Sequence, residues 1–217
     1  MNLFQKFIQY KSSNVQSMWD DFQKNKVIQL DKNDVIDEGI FKFRHLKRSG
    51  FCTFYTGLSF WNINSEYFVE SRKASERVEK FTRIFIIKDI RDLENKYLFS
   101  QIQADLSAHT RVYICFYDDI PLLEAKKDFG IWDEEYVCIV HYNYDNEVTG
   151  ITISGRNEDI QKAKEWQKVL LSVAQPIINI SEIEKIKQAH VDPPAQYMSD
   201  RNKEFQLKSI ELQMSIA

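Results

Sequence analysis

Apolar and polar positions recur along this chain with changing periods, and those changes mark its elements. In residues 3–25, Phe4, Phe7, Ile8, Val15, Met18, Trp19 and Phe22 recur at spacings of three, four and seven. That spacing predicts an amphipathic helix, or two short ones broken near Ser12-Ser13-Asn14. Residues 30–39 (LDKNDVIDEG) are polar and acidic and read as a connection; residues 41–50 (FKFRHLKRSG) read as a short strand and turn. From Phe51 the alternation becomes regular. FCTFYTG is an apolar strand closed by Gly57, and Ser59 is placed to cap a helix carrying Trp61, Tyr67, Phe68 and Ala74. FTRIFIIKDI (81–90) is a nearly continuous β-branched and aromatic run, as expected of a strand buried on both faces. Residues 92–108 return to helical period through Leu93, Tyr97, Leu98, Ile102 and Leu106, and TRVYICFYDD (110–119) is a further buried strand.

This β-α-β-α-β order builds a parallel sheet through right-handed crossovers. GIWDE, EYVCIVHYN and EVTGITISG then follow with only short polar breaks, which predicts antiparallel strands joined by hairpins, with the clearest turn at Tyr144 to Glu147. Residues 158–175 form a helix with Ile160, Ala163, Trp166, Leu170 and Val173 inward, ended by Pro176. The tail holds two more helical stretches separated by DPPAQ (192–196). The second has Leu207, Ile210 and Met214 on one face, with Phe205 and Leu212 nearby. The expected fold is α/β, a mixed sheet with a parallel part and antiparallel strands, layered by helices. It divides into a helical extension and connection (1–50), an α/β domain (51–178) and a helical tail (179–217).

Composition narrows the function classes. Hydrophobic residues make up 43% and aromatics 13% of 217, enough for a sizeable core. A formal net charge of -3 argues against general attraction to nucleic-acid backbones or anionic membranes. The local exception is Lys42, Arg44, His45, Lys47 and Arg48, which could touch phosphate or could simply be solvated. The three cysteines, Cys52, Cys115 and Cys138, each sit in an apolar run and read as small buried hydrophobes, with no disulfide or zinc spacing. MNLFQKFIQYKSS carries two lysines and no long apolar core, and no window holds 18 consecutive apolar residues. The expectation is a cytoplasmic protein without a membrane span.

Three places carry candidate chemistry. Asp89, Asp118 and Asp119 fall at the carboxyl ends of predicted parallel strands, where open α/β sheets bind ligands, and could hold Mg²⁺ for phosphoryl transfer. Asp also ends strands and caps turns for ordinary structural reasons. SGRNED (154–159) leads into a helix N-terminus without phosphate-loop glycine spacing, and no cofactor motif is present. The third is KKDFGIWDEEYVCIVHYN (126–143), which follows the third parallel strand.

The order of elements over about residues 50–178, together with that stretch, resembles the phospholipase D-like superfamily, in particular single-repeat members found as regulatory or sensing domains. The family signature is H-x-K-x4-D followed by G-S-x-N. With Asp133 on the motif Asp, Lys126 stands at the His position and Asp128 at the Lys position. Val140 and His141 stand on Gly-Ser, and Asn143 matches the Asn. The resemblance implies a nucleophilic His that attacks phosphorus and a Lys that stabilises phosphoryl charge. Neither is present. A protonated lysine lacks the free electron pair a nucleophile needs, and a carboxylate repels phosphate. The expectation is therefore a silent site around Lys126, Asp128, Asp133, His141 and Asn143 in a sensing, regulatory or protein-interaction module. A small phosphorylated ligand remains open there, and the terminal helices are suited to a protein partner or a second copy. The alternatives kept open are a metal-dependent phosphodiester or phosphoryl-transfer enzyme at Asp89, Asp118 and Asp119, and nucleic-acid binding at Lys42 to Arg48.

Overall fold

A computed structural model describes residues 2–12, 16–55, 62–145 and 147–191. Helices α1 (Leu3–Ser12) and α2 (Gln16–Asn25) lie on either side of the predicted break, and Leu3, Phe4, Phe7, Ile8 and Phe22 are buried. The next segment corrects the sequence expectation twice. Residues 27–31 form a strand, β1 (Val27–Asp31), and the presumed strand at 41–50 is largely helix, α3 (Val35–His45). The reason lies in which residues α3 buries: Glu38, Gly39, Lys42 and Phe43. Two of the four are charged, one helical turn apart, so the buried stripe of α3 looks polar in sequence. The segment expected to lie outside the sheet thus supplies its edge strand.

The central alternation follows the expected order: β2 (Ser49–Tyr55), α4 (Glu66–Arg77), β3 (Lys80–Ile87), α5 (Lys96–Ser107) and β4 (Arg111–Phe116). β2, β3 and β4 pair in parallel, with Thr53 opposite Ile84 and Phe85 opposite Ile114. Ser59 and Trp61 lie outside the described residues, and α4 begins after Ser65. Three antiparallel strands follow, β5 (Phe129–Trp132), β6 (Tyr136–Tyr142) and β7 (Val148–Ser154), then α6 (Asn157–Val173). Pro176 not only follows a helix but sits in a short strand, β8 (Gln175–Ile177), paired with β4 at the sheet edge, where a missing N–H is tolerated. The strand order is β1-β7-β6-β5-β2-β3-β4-β8.

Each face of the sheet has its own core. Phe4, Phe7, Phe43, Phe81, Trp132 and Tyr136 pack with the N-terminal helices and α4 on one side; Phe51, Ile84, Phe129, Trp166 and Leu170 pack with α6 on the other. Gly39 lets α3 and α4 approach closely, since a Cβ there would lie 2.1 Å from the Tyr67 ring. A second unit begins at Ser181, and its described part is α7 (Glu182–Val191). The final predicted helix, with Phe205, Leu207, Ile210, Leu212 and Met214, lies outside the described residues. Among the described residues no helix is long and apolar enough to cross a membrane.

Candidate functional site

In a doubly connected parallel sheet, strand carboxyl ends gather side chains from elements far apart in sequence. Here they gather tyrosines and lysines. Tyr55 ends β2, Lys88 follows β3, and Tyr117 follows β4. The Tyr55 ring lies 6.1 Å from Tyr117 and 6.3 Å from Tyr142, the last residue of β6. Lys88 Nζ stands 5.0 Å from the centre of the Tyr55 ring, and Lys126 Nζ 4.3 Å from that of Tyr117. Neither lysine has a carboxylate within ion-pair distance among the described residues.

Asp128 lies just inside this rim, 8% exposed. Its Oδ2 accepts a hydrogen bond from Tyr142 Oη at 2.6 Å, and its Oδ1 lies 3.3 Å from Thr53 Oγ1. Thr53 has one hydrogen to give. Its hydroxyl is closer to the Lys127 carbonyl (2.9 Å) and accepts from the Phe129 N–H (2.8 Å). Oδ1 is therefore poorly served. Burial pushes the Asp128 carboxyl up to about 6, against the opposing pull of Tyr142, Thr53 and the more distant Lys42 and Arg83 charges. The Tyr142 phenol is raised by its own burial and then by Asp128.

Behind Asp128 a cavity of about 70 Å³ opens between α3, α4 and the sheet, with Val35, Tyr67, Cys52, Val140 and Ile151 among its walls. At its margin Lys42 Nζ pairs with Glu38 at 2.9 Å and stands 4.2 Å from the Trp132 ring centre; Glu38 also accepts from Tyr136 Oη at 3.1 Å. Burial alone would depress the Lys42 ammonium, but Glu38, with smaller contributions from Cys138 and Tyr67, outweighs it and leaves the group above its ordinary value. Arg83, buried in the middle of β3, donates to Asp105 (2.5 Å) and Ser71 (2.6 Å), and Asp105 accepts from Gln101 (2.8 Å).

The five residues singled out in the stretch 126–143 are not gathered in one place. Lys126 and Asp128 lie at the same end of the sheet. Asp133 lies at the other end of β5, where its carboxylate accepts the backbone N–H groups of Lys47 (2.9 Å), Arg48 (2.7 Å) and Ser49 (3.0 Å). His141 is exposed, its Nε2 2.7 Å from Thr152 Oγ1. Asn143 shapes the turn after β6, accepting from the N–H groups of Asp145 (3.0 Å) and Glu147 (2.9 Å). Sequence inspection missed Thr53, Tyr142, Tyr55, Tyr117 and Lys88. A charge inside a strand buried on both faces was the available signal for Arg83.

The alternative sites change more. Asp89 caps the turn after β3 through the Arg91 N–H (2.9 Å) and pairs with the Arg91 guanidinium (2.5 Å), which holds its carboxyl down at about 2. Asp118 and Asp119 share a short 3-10 turn after β4. Among the described residues no cluster of three or more His, Cys, Asp or Glu is arranged to hold a metal. The basic segment is not a free patch: Lys42 is buried against Glu38, Arg44 pairs with Glu66 (2.5 Å) and Glu70 (3.5 Å), and Arg48 bonds the Asp133 carbonyl and Glu135 (3.3 Å). Lys47 contributes its backbone N–H to Asp133.

Asp128 makes a measurable prediction. Its folded pKa lies above the ordinary carboxylate value, so the stability it contributes is fully present below about pH 4 and lost as pH rises through about 6. Asp128→Asn, which keeps shape and the acceptor for Tyr142, is expected to gain about 3 kcal/mol over the wild type at neutral pH. The gap should close towards pH 4. Melting curves of both proteins at the two pH values check this.

No protein-family model matches the sequence, and no curated protein matches it. Solved structures do match. The fold is similar to that of Nuc, a phospholipase D family member from Salmonella typhimurium, at 11% identity, over 70% of this chain and 98% of that one, with a TM-score of 0.52. NucT from Helicobacter pylori is 17% identical over 71% of this chain and 99% of its own, with a TM-score of 0.45. The phosphatidylserine synthase of Haemophilus influenzae Rd KW20 is 10% identical over 92% and 53%, with a TM-score of 0.47. The protein has a phospholipase D-like fold: a mixed eight-stranded sheet flanked by helices.

Proposed function

We propose that this protein is a non-catalytic phospholipase D-like domain that acts as a sensing or regulatory module. The observation that carries this reading is Asp128. In the motif register it occupies the place of the lysine that would stabilise phosphoryl charge, and it is a buried carboxylate held by Tyr142 and without an ion-pair partner among the described residues. Such a group repels a phosphodiester where the family chemistry needs attraction. Lys126, at the place of the nucleophile, sits over the Tyr117 ring. Of the histidines whose side chains are described, His45 stacks on Phe41, His109 follows α5 at a positive φ of 60°, and His141 is exposed and bonded to Thr152. None of these three lies among the contacts of Asp128 or Lys126.

Bis-p-nitrophenyl phosphate in EDTA tests the reading. No p-nitrophenolate release above the buffer rate is expected. Release that falls at least tenfold in Lys126→Ala or His141→Ala would overturn it. Release that requires Mg²⁺ or Mn²⁺ and is lost in Asp118→Ala/Asp119→Ala would instead favour a metal-dependent enzyme.

A further inference from the structure

The cavity behind Asp128 has a charge balance that identifies a complementary ligand. Four other ionised groups belong to its surroundings, and they neutralise one another in two pairs: Lys42 with Glu38 at 2.9 Å, and Arg83 with Asp105 at 2.5 Å. Asp128 is the fifth, and it has no cation of its own among the described residues. Both its hydrogen-bond donors are neutral hydroxyls, and Thr53 is better placed to serve the Lys127 carbonyl. A buried carboxylate in this state is costly unless a cation or further donors reach it. Around it the cavity is largely apolar, with Val35 and Tyr67 contributed by α3 and α4 and Val140 and Ile151 by the sheet.

We propose that this cavity is a binding site for a small aliphatic amine, whose ammonium group pairs with Asp128 beside Tyr142 and whose alkyl chain fills the apolar space under α3 and α4. The ammonium supplies the missing charge and donates to Oδ1, the oxygen that Thr53 serves poorly. Neither internal ion pair has to open for this. Size limits the chain. A cavity of 150 Å³ admits benzene, and this one is about 70 Å³, room for roughly three or four carbons. An alkanoate of the same length would place a second negative charge against Asp128 and is excluded by repulsion.

The ligand class deepens the sensing reading, because it assigns an occupant to the same Asp128 site. Its failure is separable from that reading: turnover of a phosphodiester can be present or absent whether or not an amine binds. The experiment is titration of the full chain with n-butylamine hydrochloride at pH 7.5, followed by calorimetry and by melting temperature, with sodium butyrate and n-butanol in parallel. Saturable binding of n-butylammonium, none of butyrate, and at least tenfold weaker binding of n-butanol are expected. Asp128→Asn should weaken the amine by about tenfold or more while melting cooperatively, and Val140→Phe, which fills the cavity from the strand position beside Asp128 (Val140 N–H to Asp128 carbonyl, 2.8 Å), should abolish binding while keeping the carboxylate. No saturable binding of the amine, with the cavity holding water only, would overturn the proposal. So would amine binding that survives both substitutions unchanged.

Discussion

Asp105→Ala is expected to be the most damaging single substitution in the domain, costing about 4 kcal/mol, in the range found when one partner of a buried ion pair is removed. Arg83 and Asp105 are 2% and 1% exposed at their side chains and 2.5 Å apart. Arginine cannot shed its proton to escape burial. Loss of Asp105 therefore leaves a guanidinium in the core with no carboxylate partner among the described residues, facing the Ser71 hydroxyl 2.6 Å away, the Cys52 thiol and the Phe68 and Phe81 rings. The damage should spread, since Arg83 belongs to β3, Ser71 to α4 and Asp105 to α5, so one ion pair joins three elements. For a chain of this size the melting temperature should fall by about 8–16 °C. Arg83→Leu/Asp105→Leu, which removes both charges and keeps apolar volume, should recover most of that loss. If the double variant were as unstable as Asp105→Ala, an uncompensated charge would not be the cause.

Asp133→Ala should cost about 3 kcal/mol through a different route. The carboxylate is 2% exposed and accepts three consecutive backbone N–H groups, those of Lys47, Arg48 and Ser49. These donors lie between α3 and β2, and each loses its acceptor on truncation, at a cost of about 1–3 kcal/mol for a buried unsatisfied group. Water can reach some of them, which keeps the sum below three full penalties. Asp133 also has a φ of 50°, and Glu134 one of 60°. Asp tolerates that left-handed backbone better than Ala does. Asp133→Asn keeps one acceptor oxygen and the backbone tolerance, so it should lose about half as much in chemical denaturation. This residue was expected at the acid position of a catalytic motif, and its observed work is to fasten the β5–β6 turn to the start of β2. Retention of Asp133 alone therefore does not signal retained catalysis.

The alternation of strands and helices from residue 51 to 173 was legible because its apolar runs are long and its periods distinct. FTRIFII reads as a doubly buried strand, and 158–173 as a helix, by spacing alone. What sequence concealed was charge turned inward. Glu38 and Lys42 made the buried face of α3 look like part of a solvated connection, and Arg83 was hidden in an apolar run. Both pairs become understandable only when the partner is seen, one turn away for Lys42 and on another helix for Arg83. The motif register gathered Lys126, Asp128, Asp133, His141 and Asn143 into one pocket, whereas the structure sets Lys126 and Asp128 at one sheet end and Asp133 at the other. The register could not separate Asp133 from them, because a strand of four residues carries its two flanking acids to opposite ends, about 15 Å apart. Thr53 and Tyr142 were out of reach of sequence reasoning. Each is an ordinary strand residue until the β2–β5 and β5–β6 pairings bring it to Asp128.

We propose that, with Lys126 and Asp128 at the positions of the nucleophile and the phosphate-binding lysine, the protein does not form a covalent phosphoenzyme. The most direct measurement of this is intact-chain mass spectrometry after incubation with bis-p-nitrophenyl phosphate in EDTA and denaturation at alkaline pH, where phosphohistidine survives. The predicted spectrum contains only the unmodified chain, from the first seconds to the end of the incubation. An adduct of the mass of a p-nitrophenylphosphoryl group, formed as one p-nitrophenolate leaves, that maps to a histidine and disappears when that histidine is replaced would contradict the account.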